Sequence, residues 1–375
     1  MQSSKKQRIL AIGKFGTEQL GLHVAETLES MGHEVARFRP GIKRIAGGKL
    51  AQTWTKLKNV AWRFASKIPP VRKTRRKRLF NRAKQFEPDV VLECGSFLYP
   101  DEIDRIKGLT DAKCALWFPD SVAGFGGHKF LLGDYDALFF KDPYIVRALQ
   151  RRLGISAFYL PECFNPDRHR VPDQTEETSP KWTCDIATAG SMYPYRAKFF
   201  EQLSAYDVQI WGNQPPVWLD LPPSVKRMQR TEFVADGEKA QAFTGAKIVV
   251  NNLLPTEVWG VNARTFEAAG VGAFQLMDRQ AGLSQLYEEG KEVACFEDHD
   301  ELITKIEYYL EHDAERRSIA EAARERSLSE HTYKHRLVTL LNTLDGEIEG
   351  FPMPSIEWHE ELPEDRLHDL SRAEL

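Results

Sequence analysis

Short apolar runs alternate along the chain with longer stretches whose apolar positions recur every three or four residues. The pattern predicts a strand over 8–13, a helix over 18–31 and a second strand over 34–38. Further strands are expected at 89–94, 114–118, 137–140 and 158–160, with helical patterns between them. Strands that are apolar almost throughout fit sheets covered on both faces, and their alternation with helices makes those sheets parallel. From Pro166 to Pro180 the rhythm lapses into a polar, proline-bearing stretch. It restarts at 184–189 and runs through strands at 208–211, 247–251, 273–277 and 293–296, closing with helices at 300–312, 314–328 and 333–344.

The expected fold class is therefore α/β, built from two Rossmann-like domains at residues 1–168 and 182–346, joined by a linker at 169–181 and followed by a tail at 347–375. A chain of 375 residues has the length for two cores. Parallel sheets hold ligands beyond the carboxyl ends of their strands, so two of them face each other across a cleft. Composition adds little, since 42% hydrophobic and 28% charged residues are what a globular chain carries. The five cysteines are scattered without a Cys-x-x-Cys pair and read as buried thiols. The first apolar run is too brief for a signal core or a membrane span, which places the protein in the cytoplasm.

Charge changes the picture more. The net value is only -3, yet residues 37–84 are dominated by Lys and Arg, culminating in Arg72-Lys73-Thr74-Arg75-Arg76-Lys77-Arg78, while the end of the chain is acidic. A basic segment of this kind attracts a polyanionic partner, either an anionic membrane surface, to which the protein would be peripheral, or nucleic acid. Its interleaved Trp54, Val60, Trp62 and Phe64 equally suit a solvated helix pair with one buried stripe.

Candidate chemistry concentrates at strand ends. Residues 262–272 put Glu267 on a helix that ends in glycines and runs into a strand; turned toward the cleft, its carboxylate would accept hydrogen bonds from a ribose diol, and turned away it would be solvated surface. The loop 189–198 lies between a strand and a helix, where backbone N–H groups and an arginine suit phosphate, making Gly190, Ser191, Tyr193 and Arg196 a diphosphate cradle. The alternative has Ser191 capping the helix and Arg196 in water. Asp298-His299-Asp300 looks like a metal-binding pair but reads as a helix cap, with Glu301 at capping-box spacing, so no metal ligand set is expected. In the first half Asp120 follows an apolar strand, where it would orient an acceptor hydroxyl or take its proton, or else serve only as a helix-capping or turn aspartate. His128, beside a glycine-rich loop, is a second candidate for proton handling. Gly13, Phe15 and Gly16 end the first strand without the spacing of a dinucleotide site and are assigned to the acceptor pocket.

The stretch 262–267, then Gly270, Gly272, Leu283, Gly290, Glu292, Val293, Asp298, Glu301, Leu302 and Tyr308-Tyr309-Leu310, closing with His331-Thr332-Tyr333 and Arg336, resembles the C-terminal module of GT-B glycosyltransferases. Within them it is most similar to the spore-maturation-protein-like (CgeB-type) group, and the likeness extends more faintly over residues 115–345. The resemblance implies a nucleotide-sugar donor (UDP-, GDP- or dTDP-linked) as co-substrate and no other cofactor. Glu267 would lie on the ribose, with Asn262 and Arg264 also in the donor site. It also implies a metal-independent transfer with retention of configuration, to a hydroxyl of a glycan, a lipid-linked or a polyanionic acceptor. One feature departs from the pattern: the wider retaining group carries two glutamates eight positions apart, whereas here Trp259 precedes Glu267 by eight and Glu257 is out of register. Two other classes stay open, a nucleotide- or glycan-binding protein of this fold without turnover and a transferase acting on modified nucleic acid.

Overall fold

The computed structural model describes residues 5–40, 69–120, 128–170, 179–230 and 232–356. The first half is a six-stranded parallel sheet of β1 (Arg8–Gly13), β2 (Glu34–Phe38), β3 (Val90–Cys94), β4 (Lys113–Phe118), β5 (Ala137–Phe140) and β6 (Ala157–Tyr159), ordered β2-β1-β3-β4-β5-β6. The second is a five-stranded parallel sheet of β7 (Cys184–Ala189), β8 (Val208–Trp211), β9 (Ala246–Asn251), β10 (Gln275–Asp278) and β11 (Ala294–Phe296), ordered β11-β10-β9-β7-β8. Strands β3, β5 and β8 are buried along their whole length, as apolar runs without alternation demand.

Helices cover both faces. In the first half these are α1 (Leu20–Ser30), α2 (Pro69–Phe86), α3 (Pro100–Lys107) and α4 (Pro143–Leu153). In the second they are α5 (Pro194–Glu201), α6 (Pro223–Met228), α7 (Asp236–Thr244), α8 (Ala263–Gly270), α9 (His299–Glu311) and α10 (Asp313–Glu330). The last helix, α11 (Tyr333–Leu344), behaves differently from its neighbours in sequence. Its Tyr333, Leu337, Leu340, Leu341 and Leu344 are buried among Ile9, Val24, Leu92 and Trp117, in the core of the first half. Sequence order assigns 333–344 to the second domain, but the apolar face of the helix is covered by the first sheet.

The chain therefore crosses between the halves twice, and the two crossings lie side by side. Phe164 N donates to His331 O at 3.1 Å and Tyr333 N donates to Phe164 O at 3.2 Å. Arg336, fully buried, fastens the pair by donating to the carbonyls of Pro161 (2.9 Å), Glu162 (3.1 Å) and Glu330 (3.0 Å). The closing His331-Thr332-Tyr333 and Arg336 thus form a structural clamp at the junction.

The basic segment is less unpaired than its sequence suggests. Within α2, Arg72, Arg75 and Arg76 reach Asp101 or Glu102 of α3, with Glu102 fully buried between Arg75 and Arg76. Residues 41–68, which hold Trp54, Val60, Trp62 and Phe64, lie outside the described residues, as do the loop 121–127 and the tail from 357 onward. Among the described residues no helix is long and apolar enough to cross a membrane. All five cysteines are buried and free, as their scatter predicts.

Candidate functional site

Strand β7 delivers the chain to Gly190 at the carboxyl edge of the second sheet. Gly190 has φ +138°, a conformation that side-chain-bearing residues rarely adopt. A Cβ there would lie 2.7 Å from Arg264 Nη2 and 2.9 Å from Arg196 Nη1, so two guanidinium groups converge above its backbone. Arg196, 1% exposed, donates to Asn252 Oδ1 (3.2 Å), Ser191 O (3.0 Å) and Thr188 Oγ1 (2.6 Å). Arg264 donates to Ala189 O (2.8 Å) and Asn251 Oδ1 (2.9 Å). Among the described residues neither arginine has a carboxylate within ion-pair distance. Burial, with Arg264 adding repulsion, holds Arg196 well below its ordinary range, and burial also lowers Arg264 against the opposing pull of Glu267. A buried and a half-buried cation, each hydrogen-bonded only to neutral groups, make a locus that favours an anion.

Helix α5 starts beside them at Pro194, its N-cap Tyr193 supplying no side-chain cap. The positive end of the helix dipole therefore faces the same space. Arg196 is not in water, and its donors brace the loop 188–191 from beneath, which leaves Arg264 as the more accessible of the two cations. Asn262 proves to be the N-cap of α8, accepting from Thr265 N at 3.2 Å and exchanging amide hydrogen bonds with buried Asn251. It orients the helix that presents Arg264 and Glu267.

One turn on, Glu267 is half-buried and accepts from Lys239 Nζ at 3.0 Å, with His169 Nε2 4.0 Å away. Burial pushes its carboxyl up, but Lys239, His169 and Arg264 together outweigh this and hold it near 2, so it is ionised at neutral pH. Lys239 is shared with Glu18 of the first half, whose carboxylate also accepts from Asp236 N (2.9 Å) and faces His169 Nε2 (3.3 Å). Glu18, His169 and Glu267 offer three ligand atoms within 4.8 Å of one another, the only such group among the described residues, and the Lys239 ammonium already bridges the two carboxylates. Asp298 caps α9 by accepting from Glu301 N at 2.9 Å, as expected, while the Glu301 carboxylate accepts from Glu297 N rather than from the N-cap amide, so the cap forms without the reciprocal half of a capping box.

In the first half, Asp120 is exposed beyond the end of β4, and His128 packs its ring on Phe118 and Phe130 at centroid distances of 4.8 and 5.3 Å. The loop after β1 has a structural reason for its glycines. A Cβ on Gly13 would lie 3.2 Å from that of Cys94, and Gly16 O accepts from Gln19 N to start α1. Phe15 lies under Arg37 and Arg39, each guanidinium 6.0 Å from its ring. This loop ends at Glu18, φ +61°, which reaches the second half as Gly13, Phe15 and Gly16 do not.

Sequence reasoning missed Glu18, His169, Lys239, Lys141 and Glu162. Only Glu18 had a signal, as the acidic residue directly after the first strand-to-helix loop. Lys141 Nζ meets Glu257 Oε1 at 2.8 Å, a buried ion pair that spans the two halves, and Asp142 beside it accepts from Val258 N and Trp259 N at 3.0 and 3.2 Å. Trp259 packs edge-on against Tyr144, 5.3 Å between centroids, and so belongs to the same junction.

Residues 196–342 match the family model described as Glycosyl transferase-like. No curated protein matches the chain. Among solved structures it is similar to a glycosyltransferase from Rickettsia africae (15% identity, TM-score 0.62, covering 92% of this chain and 99% of that one). It is likewise similar to Anabaena HepE in complex with UDP and glucose (12%, 0.58, 91% and 100%). A third is the E. coli trehalose-6-phosphate protein bound with UDP-2-fluoro glucose (11%, 0.60, 91% and 99%). The two facing parallel sheets are the GT-B fold expected from the sequence.

Proposed function

We propose that the protein is a glycosyltransferase that moves a sugar from a nucleoside-diphosphate donor, held by the second half, to a hydroxyl of an acceptor held by the first. The observation that carries this reading is the pair of guanidinium groups, Arg196 buried and Arg264 half-buried, converging on Gly190 without a carboxylate partner, with Arg264 three residues before an ionised Glu267 on the same helix. The Glycosyl transferase-like match over 196–342 covers α8 and both of these arginines.

In this reading Glu267 accepts the ribose hydroxyls, Arg264 and the start of α5 receive the diphosphate, and Arg196 keeps the loop in shape while adding charge. As the bond from C1 of the sugar to the diphosphate oxygen breaks, these fixed positive groups stabilise the charge that develops on the leaving group, a role that needs no metal ion. Asp120, at the carboxyl end of β4, orients the acceptor oxygen that bonds to C1 and takes its proton. Retention of configuration and membership of the CgeB-type group rest on the sequence resemblance. UDP is the first nucleotide to try, because HepE and the E. coli protein bind uridine nucleotides. The remaining arginines and lysines of α2 would serve an anionic membrane face or nucleic acid, as a peripheral contact of a cytoplasmic enzyme.

The test is calorimetric titration with UDP-, GDP- and dTDP-sugars, together with an assay for released nucleoside diphosphate. Glu267→Gln is expected to weaken donor binding about ten-fold or more, the loss of a charged hydrogen-bond acceptor. Unchanged affinity for every donor would remove Glu267 from the site. Saturable binding with no release on any acceptor would favour a binding protein of the same fold.

A further inference from the structure

Strands β4, β5 and β6 are neighbours in register, with Phe118 beside Phe140 and Phe140 beside Tyr159. Just beyond these residues the chain carries Asp120, Lys141 and Glu162, so three ionisable side chains stand at three adjacent strand ends. From the second half Glu257 closes on Lys141, and one of its oxygens, Oε2, is buried without a hydrogen-bond partner. Glu162 is 6% exposed, and among the described residues its carboxyl group makes no hydrogen bond or ion pair. Its backbone is held on both sides, by Arg336 on the carbonyls of 161 and 162 and by the paired crossing at Phe164.

A buried carboxyl group without partners destabilises a fold, and a position needed only for packing would hold an apolar side chain. Burial pushes the Glu162 carboxyl up to about 8; Lys141 opposes the shift, and Asp120, Glu267 and Glu257 add to it. It is thus protonated at neutral pH and can both donate and accept a hydrogen bond. Asp120 and Lys141 belong to the first half and Glu257 and Glu267 to the second, and Lys141 pairs with Glu257 across them, so Glu162 stands at strand ends on the boundary between the halves.

We propose that Glu162 is a specificity-determining residue that hydrogen-bonds a hydroxyl of the transferred sugar, with Lys141 and the unpartnered oxygen of Glu257 lining the same pocket. This rests on the nucleotide-sugar reading above. The glycosyl group is the part of the donor concerned; the nucleotide is held elsewhere.

The experiment compares free nucleoside diphosphates with their sugars by calorimetry on the full chain, using UDP against UDP-glucose and UDP-N-acetylglucosamine, GDP against GDP-mannose, and dTDP against dTDP-glucose. For Glu162→Leu the expected result is a roughly five- to thirty-fold loss of affinity for the sugar-bearing form with the free diphosphate unchanged, the range for one lost hydrogen bond to a substrate hydroxyl. Glu162→Gln, whose amide also donates and accepts, is expected to recover most of that loss, and it supplies a folded comparison if the leucine variant is unstable. Equal losses for both members of each pair, or no loss in either variant, would overturn the assignment. If the unsubstituted protein binds none of these compounds, the donor reading fails and the assignment fails with it.

Discussion

Glu162 binds a proton in the folded chain that it gives up when unfolded, because burial raises its carboxyl to about 8 from an ordinary 4.5. The sign follows from linkage: a raised carboxyl pKa leaves stability untouched at low pH and lowers it as pH rises between the unfolded and folded values, by about 1.4 kcal/mol per pH unit. Replacing Glu162 by Gln removes that titration. Thermal melts of the two proteins are expected to coincide near pH 4 and to diverge toward pH 8, with the unsubstituted protein the less stable. Parallel curves would show that this carboxyl group is not the buried acid described here. Glu267 shows the opposite balance, since the upward push of its burial is overcome by Lys239, His169 and Arg264. Two glutamates in one cleft are therefore set to different protonation states by the cations each one faces.

At the scale of elements, the end of β5 and the loop after β9 are joined by the Lys141–Glu257 pair and by Asp142 on the amides of Val258 and Trp259. Both charges are buried, so breaking the pair from one side costs more than the pair contributes. Lys141→Met is expected to destabilise the fold by about 3–5 kcal/mol, and Lys141→Met combined with Glu257→Leu to recover most of it, since two apolar groups leave no uncompensated charge. Urea unfolding of the three proteins measures this, and a double variant no more stable than the single one would contradict it. The basic helix α2 follows related physics in exposed form: its arginines are drawn onto Asp101 and Glu102 of α3, which lowers the charge available to an outside partner.

On the scale of the whole molecule, the two halves are tied by the chain itself, because α11 returns to the first sheet after the second is complete. Leu337 is fully buried between α1 and the first sheet's strands. Leu337→Ala is expected to cost about 2–5 kcal/mol, with hydrogen-exchange protection lost first from β1 and β3 and retained in β9 and β10. Loss beginning in the second sheet would contradict the placement. The same return explains the closing His331-Thr332-Tyr333 and Arg336: Thr332 caps α11 and Arg336 holds the neighbouring crossing, so this motif stabilises the junction on which Glu162 is mounted.

Strands such as 8–13, 34–38, 184–189 and 208–211 were legible to the residue because continuous apolar runs and the 3.6-residue period are local properties of the chain. The loop at Gly190 and the helix bearing Glu267 were legible for the same reason, as short motifs at strand ends. The partners of those residues were not, since Glu18, His169 and Lys239 are separated from Glu267 by 28 to 249 positions. Lys141 and Glu162 look like ordinary polar residues after short strands until the sheet order sets their strand ends side by side. Only the tertiary structure decided which half covers α11, which cations face which carboxylates, and which carboxyl group is left without one, because burial and Coulomb interaction depend on distance in space, and local sequence does not carry that distance.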